Sequence, residues 1–176
     1  MTYQPSSKQQ EKFIKTLWIK EKPWKREKHL YKRSYNYIKY IKWIPGLKMI
    51  GIGNSIAMNN ASEWSDIDLF IVTAPNRMWT VRIIITAIFQ FLWVRKTVKK
   101  HKDRFCLSFF ATTDGMDFSN FSLEQDIYLY NWVAYFKPLL SIDNTYELFL
   151  HKNSLWMDLS PIKSQIKENK KYIKFS

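Results

Sequence analysis

Cysteine is almost absent: Cys106 is the only one in 176 residues. A single cysteine forms no intrachain disulfide and no cysteine-cluster metal site. The three histidines, His29, His101 and His151, are scattered, so the spacing of a zinc site is missing too. With 4 Gly and 6 Pro the chain is neither collagen-like nor a flexible linker. Long apolar runs are also lacking. The longest, Ile83–Val94, is interrupted by Gln90 and flanked by Arg82 and Arg95. As a helix it would rise about 18 Å, against roughly 30 Å of bilayer hydrocarbon. It therefore reads as a buried core helix, and no membrane span is expected. The opening MTYQPSSKQQEKF has no apolar segment of the kind a secretory signal needs. Together with the single cysteine, this points to the cytoplasm.

What is present is an ordinary globular balance, 46% apolar and 24% charged, with many aromatics: 8 Trp, 10 Tyr and 12 Phe. The length suits one domain with a modest core. The net charge of +13 is uneven. Residues 1–48 hold 13 Lys and Arg against 3 Glu, a net +10. Such a segment suits contact with nucleic acid or another anionic partner. Lys outnumbers Arg 22 to 6, however, and a Lys-rich, Asn-rich and Ile-rich bias also arises without selection for phosphate contacts. Tyr31, Tyr35 and Tyr37, set between lysines, are candidates for stacking on bases.

Periodicity gives a coarse architecture. Residues 1–22 read as weakly ordered or loosely helical. A helix follows from Trp24 to Trp43, stopped by Pro45-Gly46. Leu47–Gly53 reads as a buried strand and Asn54–Ser65 as a turn or short helix. Ile67–Thr73 (IDLFIVT) is the clearest strand, closed by Ala74-Pro75-Asn76. Met78–Val98 reads as a long, mostly buried helix, 95–104 as a basic turn and Phe105–Thr112 as a third strand. Ser122 to Gln125 has the form of a capping box opening a helix to about Phe136. Short helices are expected at Thr145–His151 and, amphipathic and basic, at Ile162–Phe175. The class is α/β in the α+β sense, a small mixed sheet with packed helices and a C-terminal helical region. The expected division is a basic N-terminal arm at 1–24, a domain at 25–161 and a basic C-terminal helix at 162–176.

The chemistry concentrates between Gly51 and Thr73. Asp66 and Asp68 lie two apart at the mouth of a strand, so they face the same way. Adjacent carboxylates repel, and a hard divalent cation between them relieves this. Such a cation keeps coordination positions for water or substrate phosphates. Ten residues separate Asp66 from Ser55, which follows Gly53-Asn54 and a strand. A small turn there aims backbone N–H groups and a hydroxyl at phosphate oxygens.

In these residues, Asn54-Ser55 and, with ten residues between Ser55 and Asp66, the segment Ser65-Asp66-Ile67-Asp68-Leu69-Phe70-Ile71-Val72, the chain resembles the nucleotidyltransferase superfamily that includes DNA polymerase beta, especially its small bacterial members. The resemblance spans about residues 25 to 161 and implies a nucleotidyltransferase fold. It implies Asp66 and Asp68 as catalytic metal ligands for Mg²⁺ or Mn²⁺, and Gly53, Asn54, Ser55 and Ser65 as the nucleotide-binding residues. The implied activity is transfer of a nucleoside monophosphate from a nucleoside triphosphate to an acceptor: a small molecule, RNA or protein.

Two positions depart from the family pattern. Asn54 stands where the family has glycine. The third carboxylate, which the family carries on a neighbouring strand, is missing from FCLSFFAT, where Ser108 takes its expected place. Asp114 or Asp117, just beyond that strand, are the candidates to replace it. A fold that has lost this acid and only binds nucleotide or RNA is the alternative. A third reading is a basic nucleic-acid-binding protein with an incidental Asp pair lying away from any pocket. Other groups carry plainer expectations: Glu63 as a solvated loop acid, Arg77 and Arg82 as helix-surface cations, Cys106 as a buried structural thiol and Ser55 as a helix cap.

Overall fold

The computed structural model describes residues 2–160 and the backbone of 173–175; the side chain of Ser108 lies outside that description. Among the described residues are six helices and five strands: α1 Ser7–Thr16, α2 Lys25–Ile41, β1 Leu47–Ile52, α3 Asn54–Ala57, β2 Ile67–Thr73, α4 Met78–Phe91, β3 Phe105–Thr112, α5 Ile127–Tyr135, β4 Lys137–Ile142, α6 Thr145–Asn153 and β5 Ile173–Phe175. The sheet order is β3-β2-β1-β4-β5. β1 runs antiparallel to β2 and β4, while β2–β3 and β4–β5 are parallel. This is a mixed sheet of the α+β class.

Strand β2 explains the layering. Its residues are buried except for Asp68, which is half-buried. Ile67, Leu69 and Ile71 join a core with α2 and α4 residues such as Leu30, Ile38, Val81 and Ile85. Phe70 and Val72 join a second core with Tyr130, Trp132 and Phe149 of α5 and α6. A strand covered on both faces is apolar throughout, as IDLFIVT is apart from its Asp. On the α5 side Phe70 meets Phe109, Trp132 and Phe136 at ring separations of 4.8, 5.4 and 5.7 Å. Much of the aromatic content is spent here. The close approach also requires Gly51, where a Cβ would lie 2.0 Å from the Phe136 ring.

Of the two alternatives for residues 1–22 the helical one holds: Ser6 and Gln9 form a capping box, Gln10 and Asn131 exchange side-chain hydrogen bonds, and Phe13 lies edge-on to Tyr128. The Tyr3 N–H donates to the Trp156 carbonyl at 2.7 Å. Other expectations need correction. Helix α4 stops at Phe91, not Val98, because Trp93 adopts a left-handed φ of 55° and Arg95 bridges Phe105. The Ser122–Gln125 capping box does not form. Ser122 Oγ donates to the Ser119 carbonyl, Gln125 is left-handed, and Asp126 caps α5 through the Leu129 N–H. β4 was hidden by Pro138 in a six-residue segment. The helix expected at Ile162–Phe175 falls largely outside the described residues; its end, Ile173–Phe175, is a strand parallel to β4.

Candidate functional site

The end of β1 and the start of β2 are neighbours because the strands are antiparallel and Ile52 pairs with Leu69. The Gly53–Asn54 turn therefore abuts Asp68, and the Gly53 N–H donates to the Asp68 carbonyl at 3.2 Å. Gly53 has no room for a side chain: a Cβ would lie 2.9 Å from the Trp132 indole nitrogen. Asn54 takes a left-handed φ of 55°, a conformation that glycine adopts freely and asparagine tolerates. Its side chain bridges the two walls of the site. The amide donates to Asp68 Oδ2 at 2.9 Å, and its oxygen accepts from Trp132 Nε1 at 3.0 Å. Asn54 thus orients a carboxylate.

The Asp pair faces a third group on β3. Parallel pairing sets Asp68 opposite Cys106. Ligand atoms of Asp66, Asp68 and Cys106 all lie within 4.8 Å of one another. No acid among the described residues joins this cluster. Cys106 is half-buried beside the carboxylates, not sealed in the core as expected. Ser108 lies further along β3. Asp114 follows the opposite end of that strand, and Asp117 caps a local turn through the Ser119 N–H. Neither joins the Asp66–Asp68–Cys106 cluster. The thiol at the strand's start was legible only once the β2–β3 register was known.

A cation is already at hand. Lys96 Nζ lies 2.6 Å from Asp66 Oδ2. That hydrogen bond, with the charges of Asp66, Cys106 and Asp68, holds the Lys96 ammonium above the ordinary lysine range despite partial desolvation. The repulsion expected between two adjacent carboxylates is thereby relieved within the chain.

Asp68 lines a cleft of about 260 Å³ with Gly53, Asn54, Phe109, Tyr128 and Trp132. Burial and the nearby Asp68 charge raise the Tyr128 hydroxyl above its usual range. The cleft is lined by one carboxylate and by aromatic rings. Asp68 thus borders the pocket, whereas Asp66 is not among its lining residues and faces Lys96.

The other candidates sit as follows. Ser55 is the second residue of α3, beside Asn54. Ser65 Oγ accepts from the Ser62 N–H at 2.8 Å, so it is engaged in closing the 62–65 loop. Arg26, which sequence reasoning passed over, holds that loop through the Ser62 and Glu63 carbonyls and pairs with Asp103. Glu63 is exposed. Arg77 packs against the Gly46 turn, and Arg82 lies over Trp79 and Phe110. Both belong to α4 and its start, on the face opposite the cleft. Tyr31, Tyr35 and Tyr37 are not displayed for stacking: Tyr31 donates to the Ile56 carbonyl, Tyr37 lies against Phe105, and Tyr35 packs on the core.

No protein-family model matches the chain, and no curated protein or solved structure matches it.

Proposed function

We propose that the protein is a divalent-metal-dependent nucleotidyltransferase, moving a nucleoside monophosphate from a nucleoside triphosphate to an acceptor hydroxyl. The observation that supports this reading is the Asp68 carboxylate, which lies close to Asp66, is held by Asn54 and lines a cleft together with Gly53 and Asn54. Two carboxylates whose oxygens lie within 4.8 Å of each other suit Mg²⁺ or Mn²⁺, and Asp66 with Asp68 would hold it. When bound, such an ion supplies charge neutralisation for phosphate oxygens. The chain's own residues position the reactants. Asn54 fixes the Asp68 carboxylate, and Gly53 and Asn54 line the cleft that phosphate would enter, with Ser55 next in the chain. Phe109 and Tyr128, both exposed, are the rings a planar base or acceptor would meet in the cleft. The new bond joins the acceptor oxygen to the α-phosphorus, and pyrophosphate departs. Positioning supplies most of the rate in such chemistry.

Pyrophosphate release from each of the four nucleoside triphosphates, with Mn²⁺ or Mg²⁺ and a panel of small-molecule, RNA and protein acceptors, tests the activity. The reading requires metal-dependent release that Asp68→Asn abolishes. A specific observation also favours a second reading, binding without turnover: Cys106 stands by the Asp pair where a third acid is absent. Under that reading wild type binds nucleotide and releases no pyrophosphate, whereas Cys106→Asp gains release.

A further inference from the structure

Helix α4 is apolar on two sides, and only one of them is covered. Val81, Ile85 and Phe89 point into the core. The four-residue repeat Trp79, Ile83, Ala87 and Phe91 points away from it. Trp79, Ile83 and Phe91 are 67%, 66% and 83% exposed, and Trp93 extends the stripe at 77%. Such an exposed apolar stripe marks an interaction surface. Its surroundings are cationic. Arg82 lies over Trp79 at 5.7 Å from the ring centroid. Leu92, just past the helix, shares a groove with Lys32, Arg33 and Lys39 of α2.

Charge selects the occupant. A second copy would bring another +13 to the contact, whereas an anionic surface complements it. RNA would satisfy the charge and could stack on the rings, but the middle of the stripe, Ile83 and Ala87, is aliphatic. Hydrocarbon suits them. Tryptophans near both ends of the stripe suit the headgroup boundary, where an indole keeps its body apolar and its N–H wet. No helix among the described residues is long and apolar enough to cross a membrane. We propose that the outer face of α4 docks the protein flat on a bilayer containing anionic lipids.

The placement is consistent with an open cleft. α4 packs on the sheet face carrying Leu69 and Ile71, whereas Asp68 shares the face of Phe70 beneath α5. A protein seated through α4 therefore turns its cleft away from the membrane.

Co-sedimentation of the full chain with phosphatidylcholine vesicles, with and without phosphatidylserine, tests the proposal. The protein should pellet with the phosphatidylserine vesicles, less so as salt rises, and with a blue shift in tryptophan emission. Ile83→Ser with Phe91→Ser, both neutral and at exposed positions, should weaken association at least about tenfold while leaving the circular dichroism spectrum unchanged. Failure to pellet at low salt would overturn the proposal, as would equal pelleting of the double variant. So would a wild-type dimer in sedimentation velocity that the double variant dissociates. Binding to polyuridine that the double variant loses, with vesicle association unchanged, would assign the stripe to RNA instead.

Discussion

The Lys96 ammonium lies 2.6 Å from the Asp66 carboxylate, so the chain carries its own counter-cation at the Asp pair. A divalent ion bound through Asp66 competes with that contact. The loop that delivers Lys96 follows the left-handed turn at Trp93, which ends α4 and returns the chain to pair Arg95 with Phe105.

Lys96→Gln should therefore act in two opposed ways. Without metal the variant loses stability, by about 1 kcal/mol or less because the lysine is substantially exposed. With saturating Mn²⁺ its gain in melting temperature should exceed that of wild type, since no ammonium has to leave. Scanning calorimetry with and without Mn²⁺ checks both. Equal metal-induced shifts in the two proteins would show that Lys96 does not compete for the site.

Glu27 is fully buried near the start of α2. Its carboxylate accepts from the Trp24 N–H at 2.9 Å and the Ala61 N–H at 3.1 Å, and Lys20 lies 3.8 Å away. It ties the helix to the loop leading to Asp66. Glu27→Ala orphans two backbone donors and should cost about 2–4 kcal/mol. Lys20→Met should cost less if the backbone contacts dominate. Urea unfolding midpoints of the two variants decide this, and a larger loss for Lys20→Met would contradict it.

Tyr31 sets an alkaline limit. Burial, aided by the Glu27 charge, pushes its hydroxyl well above the usual tyrosine range. The neutral form is thus favoured in the folded chain. Its stabilisation is present below the unfolded value of 10.0 and is lost as pH rises above that towards the folded value. Tyr31→Phe removes the hydrogen bond to the Ile56 carbonyl, costing about 1 kcal/mol at neutral pH. The variant should then lose less stability than wild type between pH 9 and pH 11, a window about the ordinary tyrosine value. Parallel melting curves across that window would contradict the assignment.

The sequence shows most clearly those elements whose physics is local. Ile67–Thr73 reads as a strand because seven residues alternate across two buried faces, and Asp66 with Asp68 read as a pair because strand period places them together. What needed three dimensions was register. Cys106 meets Asp68 only through parallel pairing of strands separated by a crossover helix, and no spacing rule encodes that. Lys96 reaches Asp66 because Trp93 ends α4 with a positive φ, a conformation that tryptophan does not advertise. α4 itself read as a core helix because periodicity counts apolar positions without telling which face finds a neighbour. Its core face is set by Val81, Ile85 and Phe89, and its outer stripe is equally apolar.

The central claim is that Asp66 and Asp68 form a metal-nucleotide site, and the melting temperature with Mn²⁺ and a nucleoside triphosphate together tests it most directly. Ligands that bind only the folded state raise the midpoint, by about 2.7 kcal/mol of stability at a hundredfold excess over Kd. In a domain of this size each kcal/mol is worth about 2–4 °C. Wild type should show a rise with both ligands that exceeds the sum of the separate rises. Asp66→Asn with Asp68→Asn should abolish it while retaining a cooperative transition. The full rise persisting in the double variant would contradict the account.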